Sequence, residues 1–185
     1  MKKNYFDSYL KLEKLIKKKS LISFFFITLF VTGATITKDY GISYDEQEYR
    51  QHGFIVLNYL GEKILPNKLN EIKEKRNLEY IPIEQFHIFG VNTFKIQHTV
   101  NAVIEFLFFS NSEKKKVYLM RHYINFFAGF LALIIFYKIL RLNYNKIISL
   151  TGVLFFITNP KFVSEIIYNP NDVWFMYFVI FFIFS

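Results

Sequence analysis

The sequence predicts an all-α polytopic membrane protein, and three observations predict it. The 185 residues are 52% hydrophobic and 21% aromatic, with 24 Phe and 13 Tyr, a load of Phe that a soluble domain of this length rarely carries. The mean hydropathy of +0.21 points the same way. The net charge of +8 is unevenly placed, because Lys2, Lys3, Lys11, Lys14, Lys17, Lys18 and Lys19 all precede the first apolar run. That is how a cytoplasmic membrane flank is charged. Orientation therefore accounts for the basic excess, and nucleic acid is not implied as a partner. The chain has no cysteine, which excludes a disulfide framework and a thiolate metal site.

The elements follow in order. Residues 1–19 form the cytoplasmic basic N-terminus. Residues 20–37, "SLISFFFITLFVTGATIT", carry no charge and are about long enough to cross a bilayer core, giving the first crossing. Thr32-Gly33-Ala34 would suit a signal-peptide cleavage site, but the long basic region before it and the apolar segments after it favour an uncleaved anchor. With the lysines held in the cytoplasm, residues 38–117 form an extracytoplasmic loop. Within it, Phe54–Leu65 and His98–Phe109 are too short to span. In the second, His98, Asn101 and Glu105 share one helical stripe while Val100, Val103, Ile104 and Leu107 share another. Such helices lie along a membrane surface, or form the core of a small loop domain. The intervening "LPNKLNEIKEKRNLEY" reads as a charge-rich connector.

Residues 118–140 are the second crossing, with Arg121 and His122 near its outer end and Lys138 and Arg141 at its inner end. The turn "RLNYNK", residues 141–146, is cytoplasmic, residues 147–158 return outward, and residues 159–172 form a second outer loop. A fourth crossing opens at Val173 and is too short to span by Ser185, which predicts that the chain is the N-terminal part of a longer polytopic protein.

Two acidic motifs could carry chemistry. "GISYDEQEYRQHG" predicts a helix starting near Ser43, with Ser43 as N-cap and Glu46 at the third helical position, the capping-box arrangement. Asp45, Glu48, Tyr49 and His52 then share one face, and Glu46 and Arg50 the next. Asp45 and Glu46 are successive, so they point about 100° apart and cannot form a close carboxylate dyad. The plainer reading is a capped juxtamembrane helix with an exposed Glu46–Arg50 pair worth a few tenths of a kcal/mol. The second motif is Asp172 in "YNPND", where Asp or Asn is also a good N-cap for the following helix. The topology gives both motifs a shared address: they emerge on the outer face with Arg121 and His122, where lipid head groups lie. Lys161 and Glu165 are weaker candidates. His52, His87, His98 and His122 show no paired metal-ligand spacing, and no glycine-rich phosphate loop or GxSxG element is present.

This layout resembles the GT-C glycosyltransferases, and more closely the bacterial members of the protein-mannosyltransferase-like (family 39) group. The resemblance rests on "GISYDEQEYRQHG" after the first crossing, on "RHYINFFAGFLALIIFYKILR" and on "TNPKFVSEIIYNPNDVWFMYF". It covers most of the chain but is patchy between about residues 60 and 115, and Asn171 stands where many relatives carry a lysine. It implies GT-C-like transmembrane helices with an outer loop bearing juxtamembrane helices, in the cell membrane. It also implies transfer of a sugar from a polyprenyl-phosphate donor to an acceptor hydroxyl of a glycan, lipid or protein. Asp45 would be base or substrate orienter, with Glu46 second and Asp172 supporting. Arg50, Arg121, His122 and Asn169 would face the substrate and its phosphate. No cofactor is required; a divalent metal held by carboxylates could share the phosphate's charge.

Two other readings stay open on sequence. A transporter or flippase would place charges inside its crossings, whereas here they sit at the ends. An inactive truncated remnant would lack part of any substrate cavity.

Overall fold

The computed structural model describes residues 19–64, 96–109 and 112–185. The basic segment before Lys19, the 65–80 connector and His87 lie outside the described residues. Among those described, every regular element is a helix and no strand occurs, which bears out the all-α expectation. The helices are α1 (Lys19–Thr37), α2 (Glu46–Ile64), α3 (Ile96–Ile104) continued by a π-helical turn (Glu105–Phe109), α4 (Lys114–Asn143), α5 (Lys146–Ile157), α6 (Pro160–Tyr168) and α7 (Pro170–Phe184). By length and composition, α4 is long and apolar enough to cross a membrane, and α5 with α6, bent by 70° at their junction, passes as a pair.

Among the described residues the chain divides into two compact units: residues 19–40 with 125–185, and residues 41–64 with 96–109 and 112–124. In the first, local chemistry sets the helix boundaries. Proline lacks an N–H and is tolerated at the first helical position, so each Asn-Pro step opens a helix. Asn159 caps α6 by accepting from the Lys161 and Phe162 N–H groups, and Asn169 caps α7 by accepting from Asp172 N–H. Residues 159–172, read from sequence as a loop, therefore contain the nine-residue α6. Asn145 caps α5 through the Ile148 N–H at 3.0 Å.

The interior of this unit is apolar. Phe126, Ala128, Phe130, Ile166, Ile167 and Val173 form one buried cluster, and Leu133, Tyr137, Leu150 and Val153 another. Small residues permit the close approaches: a Cβ on Gly129 would sit 2.9 Å from the Ile166 side chain, and one on Gly33 would enter the Phe126 ring. Its buried polar side chains return to helix carbonyls, Thr37 to Gly33 at 2.8 Å, Ser149 to Asn145 at 2.9 Å and Asn125 to Ile167 at 3.2 Å. Large apolar side chains also stand outside, among them Phe24, Phe155, Phe175 and Phe182.

In the second unit α2 packs on α3 with backbone nearly touching backbone. A Cβ on Gly53 would collide with the His98 carbonyl and lie 3.0 Å from the Ala102 Cβ. Ile55, Val56, Ala102, Val117, Tyr118 and Met120 are buried, but so are Glu46, His52, Asn58, His98, Thr99, Asn101, Glu105, Arg121 and His122. The polar stripe of α3 thus faces inward, while Ile96, Leu107 and Phe108 are exposed.

Candidate functional site

The polar interior of residues 41–124 is built from two carboxylates. Glu46 is the first residue of α2 and is 4% exposed. Its Oε2 accepts from the Ser43 backbone N–H at 2.7 Å, the reciprocal half of a capping box, which fixes how the chain enters the helix. Its Oε1 shares a short hydrogen bond with His122 Nε2, brought in by α4. The local Glu46–Arg50 pair that i,i+4 spacing suggests is replaced by partners farther along the chain.

Glu105, 2% exposed, opens the π-helical turn. Such turns re-aim side chains and recur at functional sites. Its two oxygens are divided between two guanidiniums. Oε1 takes Arg50 Nε at 2.7 Å and Nη2 at 2.6 Å. Oε2 takes Arg121 Nη2 at 2.7 Å and Nε at 3.3 Å. Arg121 is buried, so it offers a carboxylate-bound guanidinium rather than the open phosphate contact expected of it. The Arg50 side chain is 35% exposed, and its guanidinium carbon lies 5.3 Å over the Phe54 ring. Tyr118, buried one turn before Arg121 and His122, lies within electrostatic reach of Arg50, Arg121, Glu46 and Glu105 alike.

Beside these ions sits an aromatic group. Tyr49 stacks on His98 with ring centroids 4.8 Å apart and planes 13° apart, and His52 meets His98 edge-on at 5.2 Å. Asn101 is buried, and its Oδ1 has no hydrogen-bond partner among the described residues.

Asp45 differs from its neighbour. It lies in the turn before α2, is exposed, and uses its backbone carbonyl to accept the Tyr49 N–H at 3.0 Å. Its carboxylate has no partner among the described residues, whereas Glu46 is fully engaged. The divergence of adjacent side chains sends one acid inward and leaves the other in the open.

Asp172, in the first unit, is not the N-cap that sequence offers as one reading. Asn169 is the cap, Asp172 is the third residue of α7, and its Oδ2 accepts from Asn169 Nδ2 at 2.8 Å while its N–H donates to Asn169 Oδ1 at 3.3 Å. Asn169, expected to meet substrate, spends both ends of its amide on this reciprocal cap. Asp172 lines a cavity of about 320 Å³ with Asn159, Lys161, Phe162, Glu165 and Met176. Among the described residues no group of three or more His, Asp or Glu side chains is arranged to hold a metal.

Sequence reasoning placed Glu105, His98 and Asn101 on one stripe without assigning them to a site. Their shared spacing was the available signal, and it leaves open whether such a helix lies along a membrane surface or in the core of a loop domain. Comparison with protein-family models, with curated proteins and with solved structures finds no match.

Proposed function

We propose that the chain is a membrane-embedded glycosyltransferase of the GT-C type that takes a sugar from a polyprenyl-phosphate donor at the extracytoplasmic face. The observation that carries this reading is the split within the acidic pair: Glu46 locks the entry to α2 through Ser43 and His122, and Asp45 is left exposed beside it. A buried, doubly bonded carboxylate is a poor acceptor for a substrate proton; an exposed one on a fixed turn is a good one. In the proposed reaction Asp45 takes the proton of an acceptor hydroxyl as its oxygen attacks the anomeric carbon. The bond from that carbon to the phosphate oxygen breaks, and the lipid phosphate leaves as an anion. Arg50, with 35% of its side chain exposed, would meet that charge. The absence of a nucleotide-phosphate loop fits a donor whose prenyl chain is held by the bilayer.

Membranes of cells expressing the protein should transfer radiolabelled sugar from a polyprenyl-phosphate donor and not directly from a nucleotide sugar. Asp45→Asn keeps the volume and removes the base, so transfer should fall by about 10²–10⁴ with membrane abundance unchanged, and Asp45→Glu should restore part of it. Full transfer by Asp45→Asn and by Glu46→Gln would reduce the stretch to a capped, charged helix.

A further inference from the structure

We infer that Glu105 is a positioning residue: it clamps Arg50 in one orientation so that the guanidinium's outward edge receives the anionic phosphate of a substrate. The inference rests on the transferase reading and adds to it a group that the acidic-pair argument does not use. Its first support is the division of labour around one carboxylate. Arg121 is buried and bonds Glu105 Oε2 through Nε and Nη2, so it acts as a buried counter-ion. Arg50 binds Oε1 through Nε and Nη2, keeps 35% of its side chain exposed, and has no further hydrogen-bond partner among the described residues. Its plane is held on one side by the carboxylate and across its face by Phe54. A guanidinium fixed this way has already lost the rotamer freedom that a flexible cation would lose on binding.

The second support is energetic. An Arg–Glu–Arg triad carries one surplus positive charge, and burying such ions gains little over packing apolar side chains in the same volume. Stability alone does not account for a carboxylate placed 2% exposed between two arginines at the start of a π-helical turn. A surplus charge with one exposed outlet does account for it, because an arriving anion completes the balance. Phosphate geometry matches the open edge of a guanidinium.

The test measures binding, so it succeeds or fails apart from the transferase assay. The purified protein is titrated with phosphatidylcholine vesicles with and without polyprenyl phosphate, and separately with inorganic phosphate, which distinguishes a lipid-borne from a free anion. Arg50→Ala, at a half-exposed position, should weaken polyprenyl-phosphate binding roughly tenfold or more. Arg50→Lys keeps the charge without the planar fork and should bind in between. Glu105→Gln should weaken binding when Arg50 is present and have no further effect in the Arg50→Ala background. A group acting by charge alone would do the opposite, since removing its negative charge strengthens attraction for the anion whether Arg50 is present or not. Unchanged or tighter binding by Glu105→Gln overturns the inference. Should Glu105→Gln fail to fold, Arg50→Lys decides: wild-type binding by that variant shows that the clamp is unnecessary.

Discussion

Residues 19–40 with 125–185 and residues 41–124 solve the problem of buried polarity in opposite ways. In the first unit the buried polar side chains are Thr37, Asn125 and Ser149, each bonded to a helix carbonyl. Neutral groups that bond to backbone are what an apolar surrounding tolerates, and Phe24, Phe155, Phe175 and Phe182 on the outside suit the same medium. In the second unit two buried carboxylates bond to side chains brought from elsewhere in the chain: Glu46 to His122, and Glu105 to Arg50 and Arg121. Each buried ion there depends on a particular partner brought from elsewhere in the chain. The first unit should therefore tolerate loss of the Thr37 or Ser149 hydroxyl better than the second tolerates loss of a carboxylate. The proposed chemistry draws on the second of these arrangements.

The largest expected effect comes from removing the shared carboxylate. Glu105→Ala leaves two guanidiniums facing each other without a counter-ion and should cost about 3–5 kcal/mol, measured as unfolding in detergent. Ser149→Ala, equally buried but neutral, should cost no more than about 1.5 kcal/mol. Equal losses would erase the comparison. Next is Phe155→Lys. If the outer face of the first unit meets lipid, the charge should cost about 2.5–3.5 kcal/mol and lower membrane insertion; if it meets water, the substitution is neutral. Glycines sharpen the contrast further. Gly53→Ala drives a methyl into the His98 backbone carbonyl and should cost about 1–3 kcal/mol. Gly152→Ala meets the Leu140 Cδ1 tip, which can rotate, and Phe136 Cε1 at an ordinary 3.9 Å, and the better helix propensity offsets the contact. The smallest effect is at a cap: Asn159→Ala removes the acceptor for two N–H groups of α6 and should cost about 1 kcal/mol.

The helical class was legible because it is a local property of apolar runs and of spacing. The sequence reading also placed Ser43 and Glu46 as a capping box, and Glu46 does bond back to the Ser43 N–H. The helix itself begins at Glu46, so Ser43–Asp45 form its entry. What spacing could not supply was the partner. Glu46 has Arg50 four residues away, yet its bond is to His122, 76 residues on, and Arg50 reaches 55 residues to Glu105. Nothing local distinguishes a pair that will be buried from one left in solvent. The stripe of His98, Asn101 and Glu105 shows the same limit, because periodicity reveals that a helix has two faces without saying which turns inward. Asn159-Pro160 illustrates a signal with two meanings: it stops one helix and caps the next, and the first meaning alone makes residues 159–172 look like a loop.

The account depends on Asp45 and its neighbours opening to the extracytoplasmic side while the 141–146 turn stays in the cytoplasm. The chain contains no cysteine, so single cysteines can be introduced without background. Tyr44, 90% exposed, and Tyr144, 52% exposed, are suitable positions. In intact cells a membrane-impermeant maleimide should label Tyr44→Cys and spare Tyr144→Cys, which should react only after the membrane is opened. Protection of Tyr44→Cys in intact cells, with labelling on lysis, would place the acidic turn on the cytoplasmic face and contradict a donor used from outside.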